Sequence, residues 1–319
     1  MVGESDDPAV TPVPARLTDV TLRDGLQNER QIVPTSSKAA LALQIAACGF
    51  DEIELTSFVS PRWVPQLGDA AELVALLAQD SRFPRSQLCS ALVPNERGME
   101  SLLRANDDAG GDAPMIGKVS VFTAATETFS QKNTNASIDE TITRFEPVIA
   151  SAKKAGLATR GYVSCITRCP FEGDVQPDAV VRVARSLLGL GIDELDLGDT
   201  IGAATPESLR PVLAAVLGLV PNRGERAGAV TLHLHDTQGA AAACAQLAAS
   251  LGVQSFDASV SGLGGCPYAS TPQTRAPGNI DTRVLLRALT RTDLVHRLDT
   301  EALRGAERLA RELIPDHPA

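Results

Sequence analysis

The sequence predicts a closed (β/α)8 barrel, and three observations carry that prediction. Short β-like runs alternate with longer helical patterns from Leu17 onward. The runs number eight. Residues 17–290 give each unit the ~30 or more residues that a strand–helix–strand crossover needs. Eight such units in a row favour a ring closed on itself over an open doubly wound sheet.

Taken in order, residues 1–16 are rich in Pro, Val and Asp without periodicity and read as a disordered leader. The strand runs are Leu17–Leu22, Glu52–Leu55, Leu88–Val93, Lys118–Phe122, Arg160–Cys165, Glu194–Leu197, Val230–His235 and Ser255–Val260. Helical segments over 36–48, 69–78, 96–105, 137–155, 177–190, 206–219 and 239–251 separate them, and 281–312 follows as two helices. Ser137 and Glu140 have the spacing of a capping box, which satisfies two orphan donors at a helix start. Ile142, Phe145, Val148 and Ile149 then mark one helical face. Thr205 before Pro206 pairs an N-cap with a proline at the first helical position. Gly49, Gly156 and Gly191 stand where a helix ends in a left-handed residue. No linker divides 17–312, so one catalytic domain is expected, with 313–319 as a tail.

Hydrophobic residues make up 44% and charged residues 21%, enough for a full core. The net charge of −10 repels phosphate backbones and argues against nucleic acid as a partner. No run of about 18 apolar residues predicts a transmembrane helix. The chain opens without a secretory pattern, so a cytoplasmic protein is expected. The six cysteines form no C-x-x-C pair and read as reduced, mostly buried thiols.

In a barrel of this kind chemistry sits at the C-terminal ends of the strands. The first run ends in Arg23-Asp24, which reads first as a plain ion pair. In the second, if Ile53 and Leu55 face the helices, Glu54 points into the barrel, where a carboxylate needs a partner. Glu54 is then either the partner of Arg23 or a catalytic group, and both can hold. The seventh run carries His233 and His235, two of the chain's four histidines. At positions i and i+2 of a strand they share a face, about 6.5 Å apart, and can converge on one metal ion. The eighth leads into Gly262-Leu263-Gly264-Gly265-Cys266, a glycine-rich loop with a thiol near its tip. Two histidines and a carboxylate, with no thiolate, favour Mg²⁺, Mn²⁺ or a similar divalent ion over structural zinc.

These residues belong to longer motifs: Arg23-Asp24-Gly25-Leu26-Gln27-Asn28-Glu29, Thr56-Ser57-Phe58-Val59-Ser60-Pro61, Trp63-Val64-Pro65-Gln66, Arg160-Gly161-Tyr162-Val163-Ser164-Cys165, Leu197-Gly198-Asp199-Thr200-Ile201-Gly202, His233-x-His235-Asp236-Thr237 and Gly262 through Tyr268. In this order, from Thr18 to Asn279, the chain resembles the 3-hydroxy-3-methylglutaryl-CoA lyases, metal-dependent barrel enzymes whose superfamily also holds isopropylmalate synthases. The resemblance implies Asp24, His233, His235 and Asn279 as ligands of a divalent metal. It implies Arg23 as the catalytic arginine, Glu54 as an active-site acid and Cys266 as the thiol of a mobile loop. Gln27, Ser57 and Thr200 match positions lining the acyl pocket. The implied reaction is a retro-Claisen cleavage of a 3-hydroxyacyl-CoA into acetyl-CoA and a keto acid. Asp24 or His233 would take the hydroxyl proton, Arg23 would meet the developing enolate and Cys266 would return a proton. A homodimer is expected, and exposed Trp63 is compatible with an interface.

The chain departs from the family in places. The link Ala269–Asn279 is about four residues longer than usual. The acidic pair usual after the Asn is missing from Ile280-Asp281-Thr282-Arg283, and Gln238 and Asp196 replace a usual Tyr and Ser. These changes gather around the loop and pocket and spare the metal ligands. They imply a retained reaction on 3-hydroxy-3-methylglutaryl-CoA or a close analogue. The competing readings are a condensing synthase, which usually carries an added regulatory domain, and a non-catalytic metal-binding barrel, which would be expected to lose Arg23 or a ligand.

Overall fold

The computed structural model describes residues 13–220, 229–265 and 278–316. Eight parallel strands close into one barrel in chain order: β1 (Arg16–Asp19), β2 (Glu52–Ser57), β3 (Leu88–Leu92), β4 (Lys118–Ala124), β5 (Ala158–Ser164), β6 (Glu194–Asp199), β7 (Val230–Leu234) and β8 (Ser255–Ala258), with β8 paired back onto β1. Every predicted run holds a barrel strand. The predicted helices stand between them, as Thr35–Ala47, Ala70–Gln79, Glu96–Ala109, Ile138–Lys154, Pro177–Gly189, Pro206–Leu217 and Ala241–Ser250, followed by Thr282–Leu289 and Thr300–Leu313. Residues 1–12 of the expected leader lie outside the described residues, while Val13–Pro14 pairs with Leu294–Val295.

Alternation along the strands sorts the side chains. Ile53 and Leu55 point outward into an apolar layer shared with the helices, and Glu52 and Glu54 point inward. The inward positions are heavily charged. Lys118 on β4 bonds Glu52, and lies 2.6 Å from Glu194 on β6. Arg160 on β5 reaches Glu194 at 2.7 Å and Glu52 at 3.3 Å. This buried ionic layer plugs the N-terminal half of the barrel. Two residues further along the strands, Glu54, Tyr162, Asp196, His233 and Asp257 form the floor of the opposite mouth.

The helix signals act as their chemistry requires. Ser137 Oγ accepts from the Glu140 amide at 3.2 Å, and the Glu140 carboxylate accepts from the Ser137 amide at 2.7 Å. Thr205 caps its helix through the Ser208 amide. Gly156 and Gly191 adopt φ of 71° and 79° just past their helices, where a Cβ would be strained.

The first strand is shorter than expected. The Asp19 carboxylate accepts from the Thr21 amide at 3.0 Å and from Thr21 Oγ1 at 2.8 Å, which turns the chain out of the sheet. The amide of Gly25 then donates to Val20 O at 3.0 Å, five residues back, closing a π-turn over Thr21–Gly25. Two further elements go beyond the sequence reading. Helix Glu127–Thr134 follows β4, and a two-stranded hairpin joins Arg168–Cys169 to Gly173–Asp174 after β5.

Candidate active site

The C-terminal mouth of the barrel opens into a cavity of about 520 Å³. Arg23, Asp24, Gln27, Ser57, Thr200, His233 and His235, all expected site residues, line it. The π-turn explains why two adjacent residues, Arg23 and Asp24, both present their side chains there.

Arg23 is almost fully buried between two carboxylates. Its Nε donates to Glu54 Oε2 and its Nη1 to Asp24 Oδ1, each at 2.5 Å, and the guanidinium lies 5.3 Å from the centre of the Tyr162 ring. Among the described residues Nη2 has no hydrogen-bond partner, and Arg23 lines the cavity. Glu54 stands behind Arg23 and does not line the cavity. Its Oε2 also accepts from the Tyr162 hydroxyl at 3.2 Å. Burial pushes the Glu54 carboxyl up, against the pull of Arg23. Burial would raise Asp24 as well, but the Arg23 charge and the bond to His235 hold it well below the usual carboxylate range.

Three donor atoms converge beside Arg23. His233 Nε2 and His235 Nε2 lie 3.3 Å apart, and Asp24 Oδ2 lies 3.4 Å from the second and 3.8 Å from the first. Cis ligands of an octahedral Mg²⁺-sized ion stand about 3 Å apart, so the triangle fits one divalent cation. A fixed tautomer supports this. His233 Nδ1 meets Asp257 Oδ2 at 3.0 Å, and donating that proton leaves the Nε2 lone pair facing Asp24 and His235. Asn279 is brought to the same place by its backbone bridge to His235, with Nδ2 2.9 Å from Asp24 Oδ2 and 3.0 Å from Leu263 O. Its amide nitrogen faces Asp24, so ligation through Oδ1 needs that amide turned over. Cys266 lies outside the described residues.

Two of the pocket positions, Ser57 and Thr200, are held from the backbone and Gln27 from a side chain. Ser57 Oγ donates to Leu92 O at 3.1 Å, and Gln27 Nε2 donates to Asp24 Oδ1 at 2.8 Å. Thr200 Oγ1 accepts from the Cys165 amide at 2.8 Å, with Cys165 held at a φ of 61°. Sequence reasoning missed Asp257 and the role of Tyr162. Asp257 pairs in register with His233 on the neighbouring parallel strand, so the i, i+2 logic that found the histidines could have been extended sideways to find it. The unusual Asp196 lies in the same floor, 3.5 Å from Arg160 Nη1 and beside Asp257, and burial followed by the Asp257 charge pushes it well up.

Comparisons with known proteins agree with this geometry. A family model described as HMGL-like matches residues 15–310. The chain is 41% identical over 278 residues to the mitochondrial hydroxymethylglutaryl-CoA lyase of Bos taurus, covering 87% of this chain and 79% of that protein. The HMG-CoA lyase of Brucella melitensis superposes with a TM-score of 0.83 at 40% identity, covering 94% of this chain and 98% of that one. An HMG-CoA lyase from Acinetobacter baumannii in complex with coenzyme A and 3-methylmalate matches at a TM-score of 0.83 and 29% identity, over 96% and 92% of the two chains.

Proposed function

This chain belongs to the HMGL-like family, and on that premise we propose that it cleaves 3-hydroxy-3-methylglutaryl-CoA, or a close analogue, into acetyl-CoA and a keto acid, acetoacetate for the named thioester. The observation that carries this reading is Arg23 lining the same cavity as the Asp24–His233–His235 triangle.

The reaction removes the proton of the tertiary hydroxyl and breaks the C2–C3 bond. The electron pair of that bond passes to C2 and onto the thioester oxygen, and the carbinol carbon leaves as a ketone. A proton returned to C2 completes acetyl-CoA. A divalent cation, Mg²⁺ or Mn²⁺ on this oxygen-and-imidazole donor set, supplies when bound the Lewis acidity that lowers the pKa of the hydroxyl. Asp24, His233 and His235 would hold it, with Asn279 as the fourth protein ligand once its amide is turned to present Oδ1.

The remaining work falls to the chain's own side chains. Asp24 is placed to accept the hydroxyl proton, because its second carboxylate oxygen keeps free lone pairs, whereas His233 has its Nδ1 on Asp257 and its Nε2 would be on the cation. Arg23 Nη2 donates to the thioester oxygen as charge develops there. Glu54 and Tyr162 lock the guanidinium in place, which makes Glu54 a positioning group. Gln27, Ser57 and Thr200 line the acyl pocket, and Cys266 returns the proton to C2.

The test is product formation from a panel of 3-hydroxy-3-alkylglutaryl thioesters with the purified protein. Acetyl-CoA and keto acid in equal amounts, abolished by chelator and restored by Mg²⁺ or Mn²⁺, are expected. No acetyl-CoA from any member, with the triangle still binding metal, would favour a barrel without turnover.

A further inference from the structure

One buried group under the cavity floor has no part in the chemistry above. Asp196 points inward from β6 and is 0% exposed, and neither of its carboxylate oxygens meets a hydrogen-bond donor among the described residues. Arg160 Nη1 approaches Oδ2 only to 3.5 Å, without a hydrogen bond. That guanidinium is already shared, since Nη1 donates to Asp257 Oδ1 at 3.3 Å and Nη2 lies 2.7 Å from Glu194. An ionised carboxylate buried without donors is costly, so the chain should give Asp196 another way to be satisfied.

Its neighbours supply one. Oxygens of Asp196 and Asp257 and a ring nitrogen of His233 lie within 4.8 Å of one another, and the two carboxyls stand within hydrogen-bond reach. Two buried carboxylates at that range cannot both stay ionised, so one carries a proton. Asp257 is the poorer holder of it. Its Oδ1 accepts from Arg160 and its Oδ2 faces His233 Nδ1 at 3.0 Å, and such donors favour the ionised form. Asp196 has none of these donors. Burial, then the Asp257 charge, pushes its carboxyl well up. With the proton in place the orphaned group becomes a donor, and Asp257 keeps lone pairs free to accept from it. Serine, the residue usual at this position, also carries a hydroxyl donor, so the departure at Asp196 retains one. A second metal ion is the other occupant such a trio could take, but the Arg160 guanidinium beside both carboxylates opposes a cation there.

We propose that Asp196 is a positioning residue for the metal centre: as a neutral acid it donates a hydrogen bond to Asp257 and so holds that carboxylate on His233 Nδ1. The proposal deepens the metal-site reading of the preceding section and rests on it for its consequence at His233 Nε2. The acid proton itself can be read without any metal.

Infrared difference spectroscopy on the metal-free protein, parent minus Asp196→Asn, reads that proton. The carbonyl band of a protonated carboxylic acid is expected in the parent at neutral pH, shifted in deuterium oxide and absent from the variant. Mn²⁺ titration reads the consequence. Asp196→Asn keeps a donor in the same place and should bind Mn²⁺ within about twofold of the parent, whereas Asp196→Ala removes it and should bind about tenfold more weakly. Absence of the difference band would overturn the proposal. So would equal weakening in the two variants, which would mean that Asp196 acts through a negative charge. A second tightly bound Mn²⁺ in the parent, removed by Asp196→Asn, would do the same and make the trio a metal site. If Asp196→Ala does not fold, the band and the affinity of Asp196→Asn still decide. Failure of the parent to bind any Mn²⁺ would count against the metal-site reading and leave the band to decide Asp196 by itself.

Discussion

Arg23 shows how a single residue can be both structural and chemical. Glu54 and Asp24 take two of its three nitrogens and fix the direction of the third. Arg23→Gln should lower kcat by about 10²–10³-fold or more while metal affinity changes only a few-fold, because it removes the donor and leaves the ligands in place. Near-normal turnover with weakened metal binding in a titration would contradict that role. Asp19 offers a test by pH. Burial pushes its carboxyl up to about 7 from an ordinary 3.8. The folded state therefore holds that proton more tightly than the unfolded one. The stability tied to it is fully present below pH ~3.8 and is lost as pH rises toward 7. Asp19→Asn should flatten the fall in urea midpoint between pH 4 and 7 relative to the parent protein, and an unchanged slope would show that Asp19 carries no such penalty. At this scale the histidines are legible in the sequence, since i and i+2 on a strand suffice. Asp24 is legible as a hard donor at the end of the first run, but nothing in an Arg-Asp pair announces the π-turn that carries it to the histidines.

The elements explain which residues meet. β7 and β8 are parallel and in register at His233 and Asp257, so the second carboxylate is delivered by the sheet itself. Asp257→Asn keeps the shape but weakens the partner that orients the imidazole, and metal affinity should fall about 10–100-fold in a competition titration. Retained affinity would remove Asp257 from the support of the site. Strands and barrel helices are legible because their apolar periods of 2 and 3.6 survive in the sequence. Helix Glu127–Thr134 is not, since Glu-Thr-Phe-Ser-Gln-Lys-Asn-Thr buries only Phe129 and Ser130 and has no apolar period. It is fixed instead by tertiary bonds, the Glu127 carboxylate accepting from the Ile138 amide at 3.0 Å and Glu172 Oε1 from the Thr128 amide at 2.8 Å.

The whole molecule is a barrel whose interior is ionic at one end and metal-binding in design at the other. Among the described residues no helix is long and apolar enough to cross a membrane. Inward alternation makes Glu54 predictable as an interior carboxylate, yet the pairing of Lys118 and Arg160 with Glu52 and Glu194 is not legible, because it depends on which of eight strands lie side by side. Lys118→Met would leave Glu52 and Glu194 short of a buried partner and should destabilise the fold by about 3–5 kcal/mol in urea unfolding. A loss below about 1 kcal/mol would mean that Arg160 alone balances both carboxylates. The central claim is that Asp24, His233 and His235 hold one divalent cation at the C-terminal mouth. Anomalous diffraction from crystals grown with Mn²⁺ tests it most directly. A single strong peak within bonding distance of Asp24 Oδ2, His233 Nε2 and His235 Nε2 is the predicted result. A fully active, Mn²⁺-loaded enzyme with its only peak elsewhere would contradict it.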